Sequence, residues 1–370
     1  MKKVLSFLMF ILICAGSAFL LFTHPTFFRR QCHKVEAFYY VYRGDKAYKQ
    51  WKLGKAIKYY NRALNLYPEH YTAWTNLGNI YVVYEDYYSA ADAYEQAILY
   101  NPKYTVARMN YGIISTEELG DFDGAISQYR KILEIRRHQL WIPFVYNNKR
   151  SSKSNIGLAY YNMGVAYKQK SLYTDASWEI KRIYMLNALD SYQHAAKILK
   201  RDYDTRYNLA LTQQLLGDYH DAGLNYCKAI ALSPMNYEAH YNLAILLKHL
   251  KYYDESLEEL EKATSLVTNS EGASDRQRYI FDVMNDVTHT ILSQQEDSHN
   301  TLIETLGNPS AIANSGLTFV DGKLVKTDDL DKAILQNFKA CKSKSIFKED
   351  ITSDYTENDD ETPHSNVNLP

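Results

Sequence analysis

Residues 71–104 read YTAWTNLGNIYVVYEDYYSAADAYEQAILYNPKY, and residues 203–236 read YDTRYNLALTQQLLGDYHDAGLNYCKAIALSPMN. Both segments are 34 residues long, and they superimpose without a gap. Leu77-Gly78 falls on Leu209-Ala210, Ala90 on Ala222, Tyr94 on Tyr226, Ala97 on Ala229 and Pro102 on Pro234. A pattern that recurs in register over this length marks a repeat array rather than a single compact core. Its chemistry points to helix pairs. Small residues such as Gly78 and Ala90 let two helices approach closely, and aromatics fill the space beside them. Prolines at 68, 102 and 234 lack an amide hydrogen and clash with a continuing helix, so they end the second helix of a pair.

Working outward, four further units carry the pattern. Residues 37–70 supply Tyr40, Gly44, Ala56, Tyr60, Ala63 and Pro68. Residues 105–139 supply Tyr111-Gly112, Gly120, Ala125 and Tyr129, with one extra residue before Gly120. Residues 157–202 supply Tyr160, Met163-Gly164, Tyr167, Ala188, Tyr192 and Ala195, with twelve extra residues inside. Residues 237–270 supply Leu243-Ala244, Tyr253, Leu260 and Ala263, with Thr268 where the closing proline would stand. The array accounts for the tyrosine excess, since 32 of the 34 tyrosines fall between Tyr39 and Tyr253. Most of these read as packing residues.

The pattern resembles the tetratricopeptide repeat. The resemblance implies an all-α, right-handed superhelical solenoid of antiparallel helix pairs, stacked because one pair cannot bury its apolar face alone. It also implies a concave groove, lined by the first helix of each unit, that takes extended peptides. Two residues before the small residue stands an Asn in five units: Asn76, Asn110, Asn162, Asn208 and Asn242. The spacings are 34, 52, 46 and 34, and removing the inserted residues returns 34 each time. These five side chains are expected to form one row along the groove, where an amide offers both donor and acceptor to a peptide backbone. Around them lie Thr75, Asn79, Met109, Ile113, Tyr161, Val165, Tyr207, Leu211, Tyr241 and Ile245. That surface is apolar and aromatic. The Lys and Arg clamp of the family's chaperone-tail binders is not reproduced, so the expected ligand is an apolar or aromatic stretch of a protein or peptide.

Two insertions flank the fourth unit. Residues 140–156 gather Trp141, Ile142, Phe144, Val145 and Tyr146 before a polar, basic half; Trp141 and Phe144 either seal the junction or hook a partner. The second, about 177–188, lies in a stretch without Gly or Pro from Leu172 to Leu199 and predicts a second helix lengthened by about three turns. After the repeats, Ser274 reads as the N-cap of a capping helix over Asp275–Gln295, within 271–300. Residues 301–348 form a small mixed region with a hairpin around Asp321-Gly322 and a helix after Thr327. The tail 349–370 holds seven acidic residues and no Lys or Arg, and is expected to be disordered.

At the other end, Val4–Phe22 is an uncharged apolar run of nineteen residues. At 1.5 Å each it is about 28 Å long, close to a bilayer's hydrocarbon thickness. Residues 1–30 read as a single-pass anchor or as a cleaved signal segment. Flanking basic residues favour a cytoplasmic bulk, while the short lysine head also fits export, so the side of the membrane stays open.

Composition narrows the functions. A net charge of −1 excludes the basic balance of a nucleic-acid binder. The four cysteines, at 14, 32, 227 and 341, have neither metal nor redox spacing and predict no disulfide framework. The eleven histidines are scattered, and the chain has no nucleophile elbow and no phosphate-cradling glycine loop. No catalysis, cofactor or metal is expected. The leading reading is a membrane-tethered protein–protein interaction scaffold, with a role in assembling a membrane or envelope complex; the alternative is a secreted or periplasmic binding protein released by signal cleavage.

Overall fold

The computed structural model describes residues 25–137, 149–267, 273–306, 318–320 and 323–325. Their helices run α1 Pro25–Lys49, α2 Leu53–Leu66, α3 Tyr71–Val83, α4 Tyr87–Tyr100, α5 Thr105–Glu117, α6 Phe122–Arg137 and α7 Lys149–Tyr173. They continue with α8 Trp178–Ile198, α9 Tyr203–Leu216, α10 Tyr219–Leu232, α11 Tyr237–His249, α12 Tyr253–Leu266 and α13 Ala273–Leu306. Two short strands, β1 Thr318–Val320 and β2 Lys323–Val325, pair antiparallel with Phe319 opposite Leu324, flanking the expected hairpin position. The fold is an all-α helical-repeat solenoid. It divides into two compact units, Met1–Tyr173 and Thr174–Pro370. The repeat expected over 157–202 straddles that division, with α7 in the first unit and α8 in the second.

Within each helix pair one contact recurs. A Cβ built on Gly44 would stand 2.5 Å from Cε1 of Tyr60; on Gly78, 2.7 Å from Cε1 of Tyr94; on Gly112, 2.7 Å from Cε1 of Tyr129. No side chain fits there, so the tyrosine ring lies directly on the first helix's backbone. All three tyrosines are essentially excluded from solvent. In the second unit Ala210 faces Tyr226, and Ala244 faces Leu260, within two further buried clusters. The extra methyl of Ala244 goes with the smaller Leu260.

The turns inside the pairs are equally regular. Trp51, Glu85, Gly217 and Lys251 adopt φ of 58°, 58°, 86° and 65°. The next amide reaches back five residues in each case, from Lys52 to Ala47, Asp86 to Tyr81, Asp218 to Gln213 and Tyr252 to Leu247, all at 2.9 Å. This is the Schellman closure of a helix C-terminus. Of these four, position 217 alone uses the glycine that a left-handed residue prefers, as Gly120 does at φ 68° between α5 and α6.

Between pairs, a latch crosses four of the described turns. Trp74 Nε1 donates to the carbonyl of Pro68 at 2.8 Å, and Arg108 Nε donates to that of Pro102 at 2.9 Å. Arg206 reaches the carbonyl of Lys200, and His240 Nε2 lies 3.2 Å from that of Pro234. Proline donates nothing, but its carbonyl ties the turn to the following helix. His240 also holds Glu259 at 2.6 Å across α11 and α12. Burial alone would raise the Glu259 carboxyl, but hydrogen bonds from His240 and Lys262 more than offset it and hold the group below the usual carboxylate range.

Several expectations are corrected. The second helix of the fourth unit is lengthened as expected, but by less: α8 has 21 residues against 14 in α9 and α10, about two extra turns rather than three. Ser177, extended at ψ 159°, with Glu179 in the first turn, starts a new helix without any Gly or Pro to mark it. The basic half of the insertion is not loop, since Lys149 opens α7. Ser274 is not a cap: it is the second residue of α13, which runs on to Leu306. Ile280 and Val287 of that helix are buried against Ala244, Leu260, Ala263 and Val267, so it does cover the last pair. Residues 25–30 belong to α1. Val4–Phe22, Trp141, Phe144, the helix after Thr327 and the tail 349–370 lie outside the described residues. Among the described residues no helix is long and apolar enough to cross a membrane. Cys32 is free and exposed, whereas Cys227 is disulfide-bonded, against the expectation of no disulfide.

Two outcomes follow from this packing. Gly78→Ala should destabilise by about 1–3 kcal/mol through overpacking against Tyr94, measured by urea unfolding. Adding Tyr94→Leu should cost less than the sum of the single effects, as the Ala244–Leu260 pair indicates. The second unit should lose stability as pH falls below roughly 4.5, because the depressed Glu259 carboxylate stabilises the fold only while ionised. Glu259→Gln should flatten that part of the pH profile.

Candidate partner-binding surfaces

The asparagine row follows from the tyrosine packing. A buried phenol needs a hydrogen-bond partner. Tyr60 OH donates to Asp45 Oδ1 at 2.7 Å, and Tyr94 OH donates to Asn79 Oδ1 at 2.8 Å. Both acceptors sit one residue after the first-helix glycine. The same oxygens receive a second donor from the next repeat: Asn76 Nδ2 reaches Asp45 at 2.9 Å, and Asn110 Nδ2 reaches Asn79 at 2.8 Å. Burial, followed by the bond to Asp45, pushes the Tyr60 hydroxyl well up; burial does the same to Tyr94. Phenol, acceptor and amide form a three-residue tie from one pair to the next. These asparagines are half-buried staples between repeats.

The remaining row members differ. Asn162 donates to the Met109 sulfur at 3.3 Å, a weak acceptor. Asn208 donates to the Asp204 carbonyl of its own helix at 3.0 Å. Asn242 donates to Tyr207 OH at 2.8 Å and to the Glu238 carbonyl at 3.0 Å, so both amide hydrogens are engaged. Asn76, Asn110 and Asn162 belong to the first unit, with half-buried Tyr161 beside Asn162; Asn208 and Asn242 belong to the second. Carboxylate and carbonyl oxygens only accept, which fixes the amide nitrogens of Asn76 and Asn242 toward them. The carbonyl oxygen of Asn76 therefore faces away from the staple.

In the second unit the expected surface has become a cleft. The start of α13 leans against α11, and between them lies a space of about 460 Å³ lined by Tyr237, Glu238, Tyr241, Asn242, Arg276 and Tyr279, among others. The Tyr241 and Tyr279 rings lie 5.9 Å apart at 45°. Burial, then the hydrogen bond to Tyr279, raises the Tyr241 hydroxyl above the usual phenol range. Arg276 lies 5.9 Å from the Tyr237 ring. Tyr207 stacks on Tyr203 at 5.8 Å and packs on Tyr226, which makes it a wall rather than a contact. Residue order could not disclose Tyr279 and Arg276, because they come from α13, outside the repeat period. Their one signal is helical spacing ahead of Ile280. Among the described residues no group of three or more His, Cys, Asp or Glu could hold a metal.

Tetratricopeptide repeat models match residues 37–70, 84–139, 203–236 and 237–266. The chain carries tetratricopeptide repeats. It is 25% identical over 236 residues to the BBSome complex member BBS4 homolog of Drosophila melanogaster, covering 63% of this chain and 41% of that protein. It is 27% identical over 216 residues to the BBSome complex member BBS4 of Bos taurus, covering 58% and 36%. This tetratricopeptide repeat chain thus spans about two-fifths of the length of these curated relatives. Among solved structures, PilW, described as a type IV pilus biogenesis factor, matches at 15% identity and TM-score 0.49, covering 65% of this chain and 97% of its own. YrrB, described as a TPR protein with an unusual peptide-binding site, matches at 16% identity and TM-score 0.42, covering 59% and 97%. The tetratricopeptide repeats make the chain a protein–protein interaction scaffold.

The staple geometry separates the asparagines by stability. Asn76→Ala and Asn110→Ala should each cost about 1 kcal/mol, because each removes a donor from a shared acceptor. Asn162→Ala, losing only a bond to sulfur, should stay within about 0.5 kcal/mol of wild type. Chemical denaturation of the three variants decides this.

Proposed function

We propose that the chain is a membrane-tethered scaffold whose α11–α13 cleft holds an apolar or aromatic side chain of an extended protein segment. The observation that carries this reading is the cleft itself. Its walls are tyrosine rings, with Glu238 and Arg276 at its polar edge. Aromatic walls with a few oriented polar groups suit a peptide anchor. The carbonyl oxygen of Asn76 offers an acceptor for peptide amides in the first unit, as in strand-like recognition. Tethering rests on the uncharged run Val4–Phe22. Assembly of a membrane or envelope complex is the role such a scaffold would serve, with no enzyme activity and no nucleic acid involved. A second reading has one observation in its favour. The bonded Cys227 suits an oxidising compartment, which would put the repeats on the extracytoplasmic side.

The test is selection of a displayed library of random peptides on the full chain, followed by affinity measurement of the enriched peptides. Selection should enrich aromatic and branched aliphatic residues. Tyr241→Ala with Tyr279→Ala should weaken binding on the order of 10-fold without the drop in melting temperature that Tyr226→Ala, which empties a buried site, should cause. Unchanged affinity in the double variant would remove the cleft from the proposal.

A further inference from the structure

The helix α1 buries one face and leaves the other bare. Ala37, Val41 and Ala47 are at most 7% exposed and pack on α2 and α3, with Gly44 against Tyr60. On the opposite side Val35, Phe38, Tyr39 and Tyr42 are between 51% and 72% exposed. Their spacing of three, one and three residues makes one stripe, and Lys46 and Lys49 continue it on the next turns, both exposed. Contiguous exposed apolar side chains on a helix call for a covering surface.

Charge and position indicate which surface. α1 carries six Lys and Arg against two Asp and Glu, in a chain whose net charge is −1. It begins three residues after the apolar run that ends at Phe22. Pro25 is its first residue, where a fixed φ and a missing amide hydrogen suit the first turn of a helix. Aromatic rings beside the apolar run, with lysines farther along, match the order of layers at a bilayer surface, where tyrosines sit among headgroups and lysines meet lipid phosphates. A second copy laid on the same stripe would instead oppose one positive excess with another.

We infer that the exposed face of α1 lies on the headgroup layer of an anionic bilayer, holding the first repeats against the membrane. The inference rests on reading Val4–Phe22 as a membrane segment.

The test is oxidative footprinting by mass spectrometry of the full chain, reconstituted in phosphatidylcholine vesicles with and without phosphatidylserine and checked by flotation. Phe38, Tyr39 and Tyr42 should lose reactivity severalfold in the phosphatidylserine vesicles, while exposed Tyr173 keeps its reactivity. Each basic group near an anionic surface changes partition about fivefold. Lys46→Glu with Lys49→Glu should therefore weaken the contact by about 25-fold or more and return Tyr39 and Tyr42 to the reactivity seen without phosphatidylserine, while the chain still floats. A chain that does not float overturns the membrane reading and this inference together. A floating chain whose Tyr39 and Tyr42 react like Tyr173 overturns this inference alone. Equal protection in detergent without lipid assigns the face to a second copy and overturns it too.

Discussion

A tyrosine ring resting on the backbone of a neighbouring helix sets the geometry of the first three pairs. Gly44, Gly78 and Gly112 have no Cβ, and Tyr60, Tyr94 and Tyr129 take the space one would need. The interhelix distance is therefore fixed by contact rather than by average packing. Burying the ring also buries its hydroxyl, and that hydroxyl must find an acceptor. In the first two pairs the acceptor is the residue after the glycine, Asp45 or Asn79. It is already turned toward the next repeat, where Asn76 or Asn110 completes the tie. One steric contact thus leads to an intra-repeat hydrogen bond and then to an inter-repeat one.

The second unit solves the same problem differently. Tyr226 faces Ala210 and sends its hydroxyl to Gln214 at 2.7 Å, one turn further along the helix than Asp45 or Asn79 would be. Leu260, facing Ala244, has no hydroxyl to satisfy. Asn242 consequently bonds Tyr207 and its own helix instead of an acidic or amide acceptor. With the last pair packed through aliphatic contacts, α13 can lie over it and bring Tyr279 and Arg276 beside Tyr241. The cleft exists because the end of the array must be covered, and the covering helix does not reach the whole of the exposed face.

The turn latches show how one role can change chemistry. Trp74, Arg108, Arg206 and His240 each stand six residues after the carbonyl they approach. Each puts a nitrogen on that carbonyl, with an indole, two guanidinium groups and an imidazole doing the same task. The buried guanidinium and imidazole groups are tolerated here because each has partners on both sides: Arg206 also bonds Asn225, and His240 also bonds Glu259.

The sequence by itself determined the helix pairs, their period and their small-against-large core. Those features depend on what each helix buries against its immediate neighbours, and that demand repeats every 34 residues. Gly78 and Tyr94 are sixteen apart, and the spacing is legible because the same steric problem recurs in the next unit. The asparagines were equally legible as a row, but their partners were not. Asp45 and Asn76 are 31 residues apart and meet only when one pair stacks on the next. The latches escaped notice because they share a donor nitrogen, not a residue type. The division at Tyr173, the start of α8 after Ser177 and the cleft beneath α13 were decided by tertiary structure alone. Each depends on how elements outside the repeat period settle against it, and a period carries no information about what interrupts it.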